Sequence, residues 1–289
     1  MASLKSFNER VSKNRLVEMI DSKGSEPDYP REYLGMSGLG NCIRSLWFGF
    51  RFVKKGSINA RTARIFAYGH IAERAMIEAL ESIGIELWNT LDNQDEFTDI
   101  FGYSKAHPDA YGKGVPGSEK TVHLIEFKTM NANSFKDTVK KGVKASKPVY
   151  YSQMALYMYK KNLTRALFVA INKNTSELYT ERLHSDNAHA KELLEKGTTI
   201  VFCEDYNELP RIGNDSSSWF QCKWCDYNDI CFGKEKVKEV NCRTCINMDL
   251  IGEGKFACSL DKSQENGYDL STDEQKKGCE KHEFMECFK

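Results

Sequence analysis

Residues 106–129 read AHPDAYGKGVPGSEKTVHLIEFKT, and this stretch decides the predicted fold. Its second half, 121–129, alternates in part and is rich in Val, Ile and Phe, which predicts a β-strand. The glycines and the proline between positions 112 and 117 predict a turn before that strand. We therefore expect a hairpin or a short strand–loop–strand unit.

Three charged side chains of this stretch are predicted to converge. Glu126 and Lys128 are two residues apart on a strand, so they point to the same face. Asp109, expected at the end of the preceding strand, can be brought beside them. Two carboxylates suit Mg²⁺ or Mn²⁺, and an ammonium can orient a water or stabilise a pentavalent phosphate. Taken alone, a Glu-x-Lys pair is usually a solvated pair on a surface strand, so the other motifs must decide between the two interpretations.

The composition is that of an ordinary soluble protein without a charge bias. The 289 residues are 40% hydrophobic and 28% charged, and 41 Lys and Arg balance 41 Asp and Glu. A nucleic-acid footprint must therefore be local. No apolar run approaches the ~20 residues of a membrane helix, and the N-terminus has no signal-peptide core. We expect a cytoplasmic protein without a membrane partner.

Residues 59–83 form the most periodic segment and predict a helix. Positions 66, 69, 73, 76, 80 and 83 fall on one stripe, which is otherwise apolar but includes Glu73. An unpaired carboxylate there is costly, so Glu73 is either half-exposed at the edge of the stripe or directed into a site. Gly69, one turn earlier, would leave room for substrate or backbone. His70 lies one residue off the stripe and is interpreted as a neighbour.

The segment after the predicted strand is basic, with five lysines against one acid: Lys136, Lys140, Lys141, Lys144 and Lys147. Such a run is usually a solvated face, but here it lies where a phosphate backbone would pass. Pro148 can open the helix that follows. Within that helix Gln153 and Tyr157 are four residues apart and share a face.

The remaining pattern predicts a mixed α/β core with a central sheet. Two further strands are predicted at 165–173 (RALFVAINK) and 176–183 (SELYTERL), with a turn at 172–175 between them. Helices are predicted at 3–23 and 185–203, and a loop at 210–218.

Ten cysteines are the most informative feature of the composition, and eight of them lie between residues 222 and 287. In a reducing compartment such clustering favours metal ligation over disulfides. Cys222, Cys225 and Cys231 have C-x2-C-x5-C spacing and need a fourth ligand to close a tetrahedral site or a [4Fe–4S] cluster. The spacing does not choose between Cys42 and Cys203 for this place.

A second group supplies four ligands of its own for a structural Zn²⁺. These ligands are Cys242, Cys245, Cys258 and Cys279. His282 and Cys287 are alternatives for the fourth place.

Taken together, these motifs resemble the RecB-like branch of the PD-(D/E)XK nucleases over roughly residues 36–233. Within that branch the chain is most similar to the iron–sulfur members, which include CRISPR-associated RecB-like exonucleases and AddB-type helicase–nuclease subunits. In those proteins one cysteine precedes the nuclease core and three follow it. The resemblance thus implies that Cys42 completes the [4Fe–4S] ligands, and that the cluster is structural.

The resemblance also implies the active-site roles. Gly69 to Glu73 fits the G-x-x-x-E form of the family's first active-site helix, although His70 precedes the usual histidine position, so either Glu73 or His70 is the ligand. The remaining metal ligands would be Asp109, Glu126 and the backbone carbonyl of Phe127. Lys128 would position the attacking water and stabilise charge on phosphorus. The residues that would hold the strand are Gln153 and Tyr157, with the lysine run guiding its phosphates.

The implied architecture is a restriction-endonuclease-like α/β fold, with a mixed central sheet flanked by helices and braced by the cluster. We expect an N-terminal helical extension (1–35), a nuclease core with the cluster (36–235) and a cysteine-rich zinc-binding tail (236–289). The tail has no counterpart in the basic family pattern.

The implied function is a Mg²⁺- or Mn²⁺-dependent exonuclease that acts on single-stranded DNA ends. A role beside other recombination or replication proteins, in a phage or plasmid, is consistent with a free-standing nuclease of this size. The alternatives are a non-catalytic DNA-binding protein with zinc or an iron–sulfur cluster, and an iron–sulfur redox protein. The complete set of two acids and a lysine favours the nuclease, because a binding protein has no use for it.

Overall fold

A computed structural model describes residues 15–24, 26, 28–29, 31–213, 215–261 and 269–289. Five strands form a central sheet: β2 (Glu86–Trp88), β5 (Ala110–Lys113), β6 (His123–Met130), β7 (Arg165–Asn172) and β8 (Leu178–His184). They lie in the order β2-β5-β6-β7-β8, and β6 pairs with β7 in parallel while the other neighbours are antiparallel. The predicted mixed central sheet is confirmed.

The predicted hairpin consists of β5 and β6, with Ala110 opposite Ile125. Its loop uses backbone that favours glycine, since φ is 92° at Gly114 and 75° at Gly117. The position of Asp109 differs from the prediction. Asp109 lies directly before β5 and not at the end of the preceding strand, because that strand, β4 (Ser104–Ala106), stops three residues earlier. β4 belongs to a separate small sheet, between β1 (Leu34–Gly35) and β3 (Phe97–Asp99).

Helices cover both faces of the central sheet. They are α1 (Ile43–Phe50), α2 (Ala60–Ser82), α3 (Ala132–Lys141), α4 (Val143–Ser146), α5 (Pro148–Lys160) and α6 (Asn187–Phe202). Met76 and Ile77 of α2 pack against Ile125 and Phe127 of β6. The alternate residues of β6, including Leu124, join the core on the other side, with α5 and α6. Because side chains alternate across a strand, Glu126 and Lys128 lie on the α5 side.

The apolar stripe predicted along α2 is wrong at both of its ends. Met76 and Leu80 are buried, but Phe66 is 54% exposed and Ile83 is 65% exposed. Phe66 is exposed because only the second half of the helix packs on the sheet, and Ile83 is exposed as the C-cap residue, beyond the last helical position at Ser82. Asn59 caps the helix by accepting a hydrogen bond from the backbone N–H of Thr62.

The other predicted elements agree with the structure within a few residues. Pro148 occupies the first turn of α5, as predicted. The segment between β6 and β7 contains α3, α4 and α5, which together make the crossover that a parallel strand pair requires. The predicted helix at 3–23 lies partly outside the described residues, and 15–21 are helical.

The C-terminal part packs onto the core through a buried arginine. It contains α7 (Phe220–Lys223), α8 (Asn228–Cys231), β9 (Met248–Gly252), β10 (Lys255–Cys258) and α9 (Thr272–Lys277). The Arg243 guanidinium lies 3.9 Å from the ring centre of Phe52 and 4.1 Å from that of Phe256. It donates hydrogen bonds to the backbone oxygens of Phe50 and Glu32 and to the side chain of Gln275.

Among the described residues, no helix combines the length and the apolar character needed to cross a membrane.

Candidate active site and cysteine clusters

A backbone hydrogen bond fixes Asp109 beside β6. The β5–β6 ladder ends where Ala110 faces Ile125, so the N–H of Phe127 lies beyond it. That N–H donates to Oδ2 of Asp109 at 2.9 Å. An unpaired buried amide is costly, and the bond therefore holds the Asp109 carboxylate next to the side chains of Glu126 and Lys128.

The predicted acid–lysine set converges on the α5 side of the sheet. The Lys128 ammonium donates to Oε1 of Glu126 and lies 3.7 Å from Oδ2 of Asp109. The other carboxylate oxygen of Glu126 accepts a 2.9 Å hydrogen bond from Nε2 of Gln153 on α5. The Lys128 ammonium also lies 5.3 Å from the ring centre of Tyr150, within cation–π range.

Burial and mutual charge perturb both members of the central pair. Glu126 is fully buried, and burial, followed by the charge of Asp109, raises the pKa of its carboxyl to about 8. Burial lowers the pKa of Lys128, but Glu126 and Asp109 outweigh it and raise that pKa above the ordinary value. Lys128 therefore keeps its proton. Perturbed titratable groups of this kind concentrate at functional sites.

Glu73 and His70 of α2 differ in their surroundings. The side chain of Glu73 is 13% exposed, while that of His70 is 80% exposed and 3.9 Å away. Gln94 donates to Glu73 at 3.4 Å. Burial, and then the charge of Asp109, raise the pKa of Glu73. Of the two residues, Glu73 is the more buried and is the one whose pKa responds to the charge of Asp109.

The two residues predicted to hold a strand have different positions. Gln153 contacts Glu126 directly, as described above. Tyr157 is buried and packs edge-on against Phe97, with ring centres 5.5 Å apart. Tyr157 is part of the hydrophobic core, and burial, followed by the charge of Glu126, raises the pKa of its hydroxyl.

Sequence reasoning did not identify Tyr150 and Gln94. Tyr150 lies three residues before Gln153, so the helical spacing that selected Gln153 and Tyr157 also contains Tyr150. Gln94 lies in a loop after a short 3₁₀ turn, and no periodic signal leads to it.

The lysine run is exposed except for the half-buried Lys147, and two of its members are paired with carboxylates. Lys141 lies 2.7 Å from Asp137, and Lys144 lies 3.3 Å from Asp186. Their charges are partly neutralised, which weakens the predicted attraction for phosphates.

The first cysteine group surrounds one cavity of about 370 Å³. Burial, and then the other three thiols, raise the pKa of Cys222. Cys203 lies elsewhere, since its thiol donates to the backbone oxygen of Asp205. Arg44 also approaches, with Nη1 3.9 Å from the sulfur of Cys231. The four cysteines that line the cavity are Cys42, Cys222, Cys225 and Cys231.

The second group surrounds a much smaller cavity of about 20 Å³. Two turns of the same form meet there: the N–H of Cys245 donates to the Cys242 carbonyl, and the N–H of His282 donates to the Cys279 carbonyl. Cys287 lies away from it, against the backbone oxygen of Glu204. The lining includes Cys242, Cys245, Cys258, Cys279 and His282.

Coordination geometry is not complete at any of these places. Within the described ranges, no group of three or more His, Cys, Asp or Glu side chains is arranged so as to hold a metal ion. The donor atoms that converge are nevertheless of the kinds that bind metals. They are carboxylates at Asp109 and Glu126, and thiols in the two cysteine groups.

The chain matches no protein-family model and no curated protein sequence. Among solved structures it is similar to the crystal structure of SSO0001, with a TM-score of 0.42 and 16% identity over 80% of this chain and 98% of that chain. It is also similar to LHK-Exo in complex with dAMP, with a TM-score of 0.42 and 19% identity over 58% of this chain and 86% of that chain. The alkaline exonuclease LHK-Exo from Laribacter hongkongensis also matches, with a TM-score of 0.41, 18% identity and the same coverage.

Proposed function

We propose that the protein is a metal-dependent deoxyribonuclease of the PD-(D/E)XK type. The observation that carries the proposal is the fully buried Glu126, held by Lys128 and Gln153, with Asp109 bonded to the next backbone N–H. Buried ion pairs add little net stability. A fully buried acid, with a second acid and a lysine beside it that are each about one fifth exposed, is therefore better explained by chemistry than by folding.

The charge balance of this set fits a divalent cation. When both are ionised, Asp109 and Glu126 carry two negative charges against the single ammonium of Lys128; without a cation, burial and then the charge of Asp109 raise the pKa of Glu126. Carboxylates are the ligands that Mg²⁺ and Mn²⁺ prefer. We assign Asp109, Glu126, Glu73 and the Phe127 carbonyl as the donors. When bound, the ion would act as a Lewis acid toward the phosphate.

The side chains have separate tasks in this proposal. Lys128 stays protonated and presents its charge to a phosphate oxygen, which stabilises the charge that develops on phosphorus. Gln153 donates to Glu126 and keeps that carboxylate oriented. Tyr150 limits the positions open to the ammonium. We further propose, from the family resemblance, that DNA is degraded from single-stranded ends.

DNA degradation in the presence of Mn²⁺ tests the activity. Lys128→Ala and Asp109→Ala each remove a charge from the reacting centre, and we expect each to lower the rate at least ~100-fold. His70→Ala is the control, because His70 is exposed and should leave the rate unchanged, whereas Glu73→Ala should lower it. Full activity in both the Lys128 and Asp109 variants would sink the assignment. Binding of DNA without cleavage by the unchanged protein would identify a non-catalytic DNA-binding protein.

We also propose two structural metal sites with thiolate ligands. One is a [4Fe–4S] cluster on Cys42, Cys222, Cys225 and Cys231, and its soft donors suit iron–sulfur ligation. The other is a Zn²⁺ ion on the second group, where two facing turns bring thiols together. The ligands proposed for Zn²⁺ are Cys242, Cys245, Cys258 and Cys279.

Metal analysis of anaerobically prepared protein tests both sites. We expect about four Fe and about one Zn for each chain. Cys222→Ser should remove iron and keep zinc, and Cys258→Ser should do the reverse. Cys203→Ser and Cys287→Ser are matched controls that should keep both metals. A colourless protein with iron below one atom per chain would contradict the cluster.

A further inference from the structure

A groove of about 500 Å³ opens beside the proposed active site. Gln153 and Tyr150 line it, and these are the residues that contact Glu126 and Lys128. Tyr33 also lines it, with its hydroxyl 3.3 Å from Nε2 of His107, two residues before Asp109. The groove is therefore separated from Glu126 and Lys128 by a single layer of side chains, those of Gln153 and Tyr150.

Arg31 lines this groove and a second one of about 950 Å³. Its side chain is exposed, and its guanidinium contacts the hydroxyl of Ser37 at 3.4 Å. Lys54, Lys55 and Phe66 are on the second groove. Arg31 therefore lies where the two grooves meet. Together the grooves form a path that runs from the region of the acids to Lys54 and Lys55.

The charges along this path differ between its two parts. In the second groove Glu26, Asp28 and Asp226 offset the lysines, although Asp28 is itself paired with Lys276 at 2.9 Å. In the groove next to the active site, the charged lining residues are Arg31 and Asp226. Arg31 is therefore the one cation among the described residues that line the groove next to the active site, and its exposed side chain can be reached by a phosphate from solvent.

We call the groove next to the active site the inner groove. Its lining is suited to a polymer with flat bases. Tyr33 and Tyr150 are half-buried aromatic rings, with the ammonium groups of Lys105 and Lys128 5.5 Å and 5.3 Å from the respective ring centres. Aromatic side chains provide sequence-tolerant stacking surfaces for single strands, and cations beside them attract the phosphates. Gly35, Gly38 and Gly49 also line the groove, and the Arg31 guanidinium lies directly over Gly35, in the place that a Cβ would fill.

We infer that a single nucleic-acid strand lies in the inner groove, with one of its backbone phosphates on Arg31. The inference rests on the proposed function and deepens it, because it gives the substrate a path and names Arg31 as a positioning residue. An arginine fork matches phosphate oxygens bidentately and keeps its charge at every physiological pH.

Binding of a fluorescein-labelled single-stranded DNA oligonucleotide in EDTA tests the inference without cleavage. Arg31→Ala should weaken binding about 10- to 100-fold, the usual range for a charged hydrogen bond. It should also reduce the slope of log Kd against log salt concentration by about 0.7, which corresponds to one phosphate contact on a single strand. Arg31→Lys should keep most of the slope. Arg165→Ala is the control, since Arg165 lines neither groove and should change nothing.

Other outcomes separate the two proposals. Unchanged affinity and slope in Arg31→Ala would overturn the groove, even if the nuclease activity is present. A normal loss of binding in Arg31→Ala, with no cleavage by the unchanged protein, would overturn the nuclease and keep the groove. Tighter binding of a duplex than of the single strand would overturn the single-strand path. Thermal unfolding of each variant confirms that Arg31→Ala is folded.

Discussion

At the scale of single residues, the burial and the raised pKa of Glu126 link the site to the stability of the protein. It is a fully buried carboxyl group on a central strand, with Lys128 and Gln153 as its partners. Desolvation favours its protonated form, and the charge of Asp109 adds to this effect. Its protonation state must therefore couple to the stability of the metal-free protein.

The direction of this coupling follows from the raised pKa. The folded state holds the Glu126 proton more tightly than the unfolded chain does, since the pKa rises from 4.5 to about 8. This stabilisation is fully present below pH 4.5 and is lost as the pH rises through the folded value. We expect the free energy of unfolding of the metal-free protein to fall between about pH 5 and about pH 8.

Urea unfolding in EDTA across this pH range measures the effect. Glu126→Gln removes the titrating group and should flatten the curve relative to the unchanged protein. Glu78→Gln, at an exposed position of α2, is the control and should keep the original slope. The same pH dependence in Glu126→Gln and the unchanged protein would contradict the assignment.

At the scale of elements, the contact between α5 and the segment before α1 sets the position of Gln153. A Cβ on Gly40 would lie 2.9 Å from Cα of Val149 and 3.1 Å from the side chain of Ser152. The backbone of α5 can approach this closely only because residue 40 has no side chain. The helix that carries Gln153 is thereby held at a fixed distance.

Gly40→Ala tests this packing. We expect a loss of about 1–3 kcal/mol in the free energy of unfolding, because the added methyl pushes against backbone. Gly69→Ala is the matched control: nothing lies within 4 Å of a Cβ on Gly69, and removing a mid-helix glycine should add about 0.5–1 kcal/mol. Urea titrations of both variants give the two values. Equal effects of the two substitutions would contradict this account.

The elements were predictable where local pattern and packing agree. The hairpin with Glu126, the crossover helix that starts at Pro148 and the mixed sheet all have strong local signals, and all are present. The stripe on α2 was wrong at Phe66 and Ile83, because periodicity records which face is apolar and not how far the sheet extends beneath it. Asp109 was misplaced relative to its strand because β4 ends early and enters another sheet.

The candidate site was predictable as a set of residues but not as a geometry. Spacing selected Asp109, Glu126 and Lys128, yet the bond from the Phe127 N–H to Asp109 depends on where the β5 ladder stops. The choice between Cys42 and Cys203 depends on which thiol faces the cavity, a tertiary property that spacing does not contain. Gln94 and Arg31 lie in irregular segments without any periodic signal.

At the scale of the whole molecule, the C-terminal tail and the core share one hydrophobic interior. Phe256, Met285 and Phe288 belong to the same core cluster as Trp47 of α1. Tyr103 reinforces the contact, since its hydroxyl donates to the Lys255 carbonyl and accepts from the N–H of Gly252. The tail therefore contributes to the stability of the part that carries the site.

Arg243→Met measures this contribution. The substitution leaves the backbone oxygens of Phe50 and Glu32 and the side chain of Gln275 without a donor. Each unsatisfied buried acceptor costs about 1–3 kcal/mol, so we expect a total loss of about 3 kcal/mol or more in chemical denaturation. Lys255→Ala, which removes an exposed ion pair with Glu253, should cost less than about 1 kcal/mol. A loss in Arg243→Met no larger than in this control would contradict the role of Arg243.

The parallel pairing of β6 with β7 has a consequence for the order in which the chain folds. Asp109 and Glu126 belong to one hairpin, a local structure that closes in microseconds. Gln153 is 27 residues further along the chain than Glu126 and reaches it only after the crossover has brought α5 onto β6, and such less local contacts form more slowly. The two acids are therefore expected to meet early in folding, while the amide that orients them arrives late. Recovery of activity during refolding should then follow crossover closure and not hairpin formation.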